Sequence, residues 1–404
     1  MSPRRLFAAA LALALVAGPA VATHAAPPAG SPGAAPKSMA AQIIKQVADV
    51  RQGDLVVIRG DVRDRALVEA LVLEARRLGA QALPLTTRPG PAPRLPLEVP
   101  ARYAVGPDAL VEQLADQATV EIVIDRGALP GLLAMPAARA SAVDRAAPVS
   151  SQDVAAKRSV RRIVVGNGIF PTAAAAKRVG VTRAQLSKLF GDGMSADPAR
   201  LHATGDGVRA VLAGARLLQI TAANGTDLTM RVAARAVRVN DGLVAAEDQR
   251  HRGAAPAVAL PAGEVYLTPV PGTAEGVLVI DRAPMLDGEI PQLIVFFRAG
   301  KVVTTNAPSS VTYDRFLARW GEPRAHRDEP GALGIGINPH VRVATGIQPL
   351  ATMADGMVTL FLGHNTWAGG ANRGPFSVGL FLPGAVLKVD GKTLVDQGTL
   401  RLPP

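Results

Sequence analysis

The spacing of apolar residues changes partway along this chain. Between about Met39 and Ile220, short β-type apolar runs alternate with helical periodicity. Residues 55–58 read as a strand. Leu67, Ala70, Leu71, Ala75 and Leu78 then recur at three- and four-residue steps, which places them on one helix face, and Gly79 can end that helix. Residues 82–85, 120–124 and 163–165 are further strand candidates. Thr182 with Gln185 three positions on forms a capping-box pattern, and Gly191 is expected to close the helix it starts. This alternation predicts an α/β domain with a partly parallel sheet. Clusters of Pro, Ala, Gly and Ser predict long loops over 86–100 and 127–156.

Beyond about Leu217, short strand-like runs dominate, at 217–221, 228–232, 265–270, 277–280 and 293–297. Turn signals separate them, among them Asn224-Gly225, Asn240-Asp241-Gly242 and Pro271-Gly272. The expected fold class is therefore α/β in two domains, an N-terminal α/β domain over 39–216 and a β-rich α+β domain over 217–404. No repeat of fixed period is present.

The N-terminus adds an address. Arg4 and Arg5 precede an apolar run over 6–16, and Ala20-Val21-Ala22 supplies a small-residue cleavage pattern. Residues 1–22 thus read as a signal peptide, of the general secretory or the twin-arginine kind, and 23–38 as a disordered spacer. The expectation is an exported protein, periplasmic or secreted, with no transmembrane segment. The chain has 404 residues, no cysteine and a net charge of +11. Thiolate chemistry and disulfides are thereby excluded. Only eight residues are lysine, so the basic excess is arginine. Aromatic residues make up 3%, which argues against a base-stacking nucleic-acid surface. The densest basic cluster, at 157–162, reads as a solvated face; in an exported protein its alternative partner is an anionic envelope polymer, not nucleic acid.

Generic catalytic motifs are missing. No Walker A sequence, H-E-x-x-H or G-x-S-x-G occurs, and Gly334-Ile335-Gly336 lacks the third glycine of a dinucleotide fingerprint. The six histidines, at 24, 202, 251, 326, 340 and 364, form no i,i+4 pair; His24 goes with the signal or the spacer, and each of the others reads most simply as a surface or satisfied core residue.

Three stretches nevertheless carry a resemblance. The first is Asn224-Gly225-Thr226-Asp227-Leu228, with Arg235 and Asp241-Gly242. The second is Leu260-Pro261-Ala262-Gly263-Glu264-Val265-Tyr266, running on through Pro269 to 276–281. The third is Leu333-Gly334-Ile335-Gly336-Ile337-Asn338-Pro339, followed by Gly363, Gly369-Gly370, Asn372 and Val389-Asp390-Gly391. Together they resemble the aminopeptidase T or leucyl aminopeptidase (M29-like) family of dinuclear-metal peptidases. The resemblance covers most of 41–404 and is strongest after Leu217.

The resemblance implies two divalent metals (Zn, Co or Mn) that activate a water against the first peptide bond, held by three glutamates, two histidines and an aspartate. The first glutamate is Glu264. At the other positions the alignment finds Ala332, Thr352, Thr359, Ser377 and Gly379, none of which offers a charged or imidazole ligand. Glu329, His340, Asp355 and His364 are the nearby candidates for relocated ligands. Asp355 and His364 are odd steps from Thr352 and Thr359, which on a strand puts them on opposite faces.

The expectation is thus an exported homologue of metallo-aminopeptidases without its metal pair, without catalytic residues of the family kind, and with no cofactor. Its cleft, lined by Glu264, Ala332, Thr352, Thr359 and Ser377, would bind a peptide or another small molecule. Glu264 would be either a residual metal ligand or a leftover that accepts hydrogen bonds or pairs with an arginine. Two alternatives stand beside this: an active metallo-aminopeptidase or other hydrolase with a rearranged metal site, and a basic envelope-associated binding protein. A homodimer is implied by the resemblance alone.

Overall fold

A computed structural model describes residues 34–87, 95–100, 103, 109–127, 160–244, 257–285, 288–320, 328–342, 351–372 and 377–403. The signal segment, most of the spacer, most of the two long loops, and His24, His251 and His326 lie outside them.

The N-terminal sheet is parallel, with five strands: β1 (Leu55–Asp61), β2 (Gln81–Thr87), β3 (Val120–Ile124), β4 (Arg161–Val165) and β8 (Ala257–Leu260). Their order is β2-β1-β3-β4-β8. Central strands of such sheets are covered on both faces, so they read as apolar runs; Ile58, Ile122 and Ile163 are fully buried. Helix α1 (Ala34–Gln42) takes up the last residues assigned to the spacer. Helix α2 (Arg65–Arg77) buries Leu67, Ala70, Leu71 and Ala75, the stripe its spacing predicts, and Gly79 follows it at φ +79°. Helices α3 (Ala109–Gln117), α4 (Ala173–Val179), α5 (Arg183–Met194) and α6 (Pro198–Leu212) belong to this part, and a single helical turn at Leu95–Glu98 stands inside the stretch 86–100 expected to be loop.

Sequence and structure differ at several further points. The capping box at Thr182 is present, but Gly191 does not end α5, which runs on to Met194. The glycines of its last turn serve packing: a side-chain carbon at Gly193 would stand 2.8 Å from Val341 and 2.9 Å from Pro261. Strand β8 lies beyond the expected domain boundary at 216/217 yet pairs with β4, so the chain returns to the first sheet after starting the second unit. The strand expected over 265–270 stops at Leu267, where Arg235 Nε donates to the Thr268 carbonyl at 3.1 Å and Pro269 has no N–H to give. Arg161 and Arg162 do not form a solvated basic face. Arg161 reaches the carbonyls of Ala48 and Asp49 and the Asp54 carboxylate (2.6–2.8 Å), and Arg162 faces buried Glu121 at 3.6 Å.

The second unit holds two antiparallel sheets. One contains β5 (Leu217–Thr221), β6 (Asp227–Arg231), β10 (Glu275–Met285), β11 (Gly288–Arg298), β12 (Lys301–Asn306), β16 (Val386–Val389), β17 (Lys392–Asp396) and β18 (Thr399–Leu400). Gly225, at φ +97°, makes the β5–β6 turn. The other sheet is β15-β14-β13-β9-β7, built from β7 (Val237–Asn240), β9 (Glu264–Leu267), β13 (Pro330–Gly336), β14 (Val358–Gly363) and β15 (Ser377–Leu382). Helix α7 (Val311–Trp320) packs against β11. Among the described residues no helix is long and apolar enough to cross a membrane.

Candidate functional site around Glu264

Residues directly opposite in an antiparallel sheet share a face, as do residues two apart on a strand. In the β15-to-β7 sheet, Asn240 pairs with Glu264, and Glu264 with Gly336. Tyr266 pairs with Gly334, Gly334 with Thr359, and Thr359 with Phe381. Ala332 pairs with Phe361, and Phe361 with Gly379. Ser377, two before Gly379, pairs with Gly363. The structure therefore brings Glu264, Ala332, Thr359, Ser377 and Gly379 onto one face. Thr352 lies outside the strands and reaches the same place, its hydroxyl donating to Glu264 Oε1.

Glu264 is 1% exposed. Its position is set by Gly263, whose φ of +122° lets the chain pass against Asn338; a side-chain carbon there would stand 2.6 Å from Asn338 Cβ. The carboxylate is held by neutral donors. Asn240 Nδ2 donates to Oε2 at 2.8 Å, the Tyr266 hydroxyl to Oε2 at 2.5 Å, and Asn167 Nδ2 to Oε1 at 3.2 Å, in addition to Thr352. Burial, and then the charge of Glu264, push the Tyr266 phenol well above its ordinary pKa, so it remains protonated and donates. No cation stands among these four partners.

The rest of the face is filled by rings. The Phe361 ring lies over both adjoining glycines; side-chain carbons at Gly334 and Gly379 would stand 3.3 and 3.2 Å from it. Trp367 meets Phe361 and Tyr266 edge-on, each at 5.1 Å between centroids. Its indole N–H donates to the His364 carbonyl at 3.1 Å, as expected of a part-buried tryptophan. Ala332 and Thr359 are sealed from solvent, whereas Ser377 is exposed. The Thr359 hydroxyl has no hydrogen-bond partner.

Three of the four candidates for relocated ligands have partners away from Glu264. Glu329 faces Lys301 at 3.6 Å. His340 Nδ1 meets the Ser195 hydroxyl at 2.9 Å. Buried His364 meets the Thr366 hydroxyl through Nε2 at 2.7 Å. Asp355 is half-buried, and desolvation raises its pKa against the opposing pull of Arg342. None of the four is a hydrogen-bond partner of Glu264, and among the described residues no three His, Asp or Glu side chains are placed to share a metal ion.

In the sequence Asn240 shows only as a turn residue and Tyr266 only as part of the Leu260-to-Tyr266 stretch, while Asn167, Phe361 and Trp367 carry no mark. Tyr266 carried a signal: two residues from Glu264 on a strand, it had to share its face. Aromatic scarcity was another, since the chain has only two tryptophans and three tyrosines and one of each stands here.

A family profile described as thermophilic metalloprotease (M29) matches residues 35–313. The match takes in Glu264 and ends before Ala332. Among solved structures, wild-type AmpT from Thermus thermophilus is similar at a TM-score of 0.66 and 16% identity, over 91% of this chain and 99% of that one. The 2,5-dihydroxypyridine dioxygenase from Pseudomonas putida KT2440 is similar at a TM-score of 0.57 and 15% identity, over 93% and 99% of the two chains. At such identities these likenesses speak for the fold. No curated protein matches the sequence.

Proposed function

The chain belongs to the M29 metalloprotease family, and we propose that within it this protein is a binding homologue that does not run the family's metal chemistry. The observation that carries this reading is the donor set around Glu264. Two divalent ions close together need several anionic or imidazole ligands to offset their charge. Here one carboxylate has its oxygens engaged by two amides, a phenol and a hydroxyl. Ala332 and Gly379 offer no ligand atom, and Thr352, Thr359 and Ser377 offer neutral hydroxyls. These residues do not fit a metal pair, and no catalytic step is derived through one.

A peptide ligand is consistent with the family. Because Glu264, Ala332 and Thr359 are sealed, such a ligand would meet the aromatic rings and exposed Ser377. Export remains part of the proposal, supported by Arg4-Arg5, the apolar run that follows and Ala20-Val21-Ala22.

The test is metal content and turnover of the purified full-length protein after incubation with Zn, Co or Mn and removal of free ion. The expected result is less than one equivalent of retained metal, with short peptides recovered intact by mass spectrometry. Two equivalents of tightly held metal, with release of N-terminal amino acids abolished by Glu264→Ala, would overturn the proposal.

A further inference from the structure

The parallel sheet has its own crevice. β2 lies on one side of β1 and β3 on the other, so the connections leaving the carboxyl ends of β1 and β3 diverge. Open α/β sheets take ligands at such a point. Here the edge carries three aspartates and three arginines: Asp61, Arg63 and Asp64 after β1, Asp125 and Arg126 after β3, and Arg178 in the last turn of α4.

Two of the arginines are committed. Arg63 clasps Asp61 with two bonds of 2.7 Å, and those bonds hold the Asp61 carboxyl at a pKa of about 2. Arg126 pairs with Asp64 and lies 5.8 Å from the Phe170 ring centroid. Asp125 spends one oxygen on the Gly127 N–H at 2.8 Å. Among the described residues Arg178 has neither a hydrogen bond nor an ion pair, and its Nε is shut off from solvent without an acceptor. The guanidinium lies along Gly127, where a side-chain carbon would stand 3.5 and 3.8 Å from its two terminal nitrogens. A guanidinium N–H buried without an acceptor is costly, and an anion meeting the fork would offset that cost. Burial lowers the pKa of Arg178, with Asp125 pulling the other way.

We propose that Arg178, set against the Asp125–Gly127 turn, binds the carboxylate of a small organic acid or of a peptide terminus. A carboxylate matches the planar fork with two parallel bonds. It also brings one negative charge, whereas a phosphate dianion would bring two toward Asp61, Asp64 and Asp125. The assignment does not depend on the reading of Glu264.

The experiment uses the full-length protein and three probes: N-acetylglycine, its amide, and inorganic phosphate. Binding is read by calorimetry, and protection of Arg178 from phenylglyoxal by peptide mass spectrometry. N-acetylglycine should bind and protect Arg178, the amide should do neither, and phosphate should bind more weakly. Arg178→Gln should raise the Kd by about tenfold or more, and Arg178→Lys should recover part of the loss. Equal binding by Arg178→Gln, equal binding of the amide, tighter binding of phosphate, or labelling of Arg178 undiminished by saturating N-acetylglycine would overturn the assignment. Should the glutamine variant not fold, the labelling of wild-type protein decides by itself.

Discussion

Glu264 is a buried carboxyl group held without a cationic partner. Its partners are four neutral donors, which together engage both of its oxygens. Glu264→Gln would turn one acceptor oxygen into a donor facing other donors. The expected cost is about 3 kcal/mol in urea unfolding, the same with and without a chelator. A loss seen only in the presence of metal would point back to a ligand role. Thr359 gives the opposite sign. Its hydroxyl is buried without a partner, so Thr359→Val, which keeps the shape and removes the orphan, should be neutral or stabilising by about 1 kcal/mol in the same assay. At this scale the sequence made Glu264 legible, because the Leu260-to-Tyr266 stretch is distinctive. Asn167 was not legible, since it lies 97 residues away in sequence and only the fold brings it to the carboxylate.

Elements whose pattern is local were read well. The α2 stripe, the Thr182 cap and the β5–β6 turn each depend on neighbours within a few positions. Strand β13 was missed as a strand, because Pro330-Gly331-Ala332-Leu333-Gly334-Ile335-Gly336 is poor in β-formers and every residue in it is buried, so no alternation shows. Its glycines answer to close packing. A side-chain carbon at Gly336 would stand 1.9 Å from the Ala354 carbonyl oxygen and 2.6 Å from that of Thr352. Backbone cannot step aside as a side chain can, so Gly336→Ala should cost about 3 kcal/mol, read as a lower urea midpoint with an unchanged slope. A change within about 0.5 kcal/mol would mean that the Thr352–Ala354 segment yields easily.

On the scale of the molecule, the parallel sheet and the β15-to-β7 sheet meet at Glu264, with Asn167 following β4 and Asn240 ending β7. A second tie is the ion pair of His202 on α6 with Asp241, at 2.7 Å. The hydrogen bond to Asp241 raises the His202 pKa above its ordinary value. The protonated form thus favours the folded state, and its contribution is full below about pH 6.5 and fades as pH rises through the raised folded value. The Tm difference between wild type and His202→Gln should therefore be larger near pH 5.5 than near pH 9, though small for a half-exposed imidazole. An equal difference at both pH values would remove the charge from the explanation.

By itself the sequence determined what short-range spacing and residue chemistry determine: an α/β half, a β-rich half and a resemblance to dinuclear-metal peptidases. Tertiary structure decided the rest. It returned β8 to the first sheet, closed Phe361 and Trp367 over the Glu264 face, supplied the amide donors, and left the buried Arg178 Nε, among the described residues, without an acceptor beside Gly127. The physical reason is range. Helix faces, caps and turns are fixed by residues a few positions apart, whereas a buried charge is satisfied by whichever donors the fold carries to it, and their distance along the chain leaves no periodic trace.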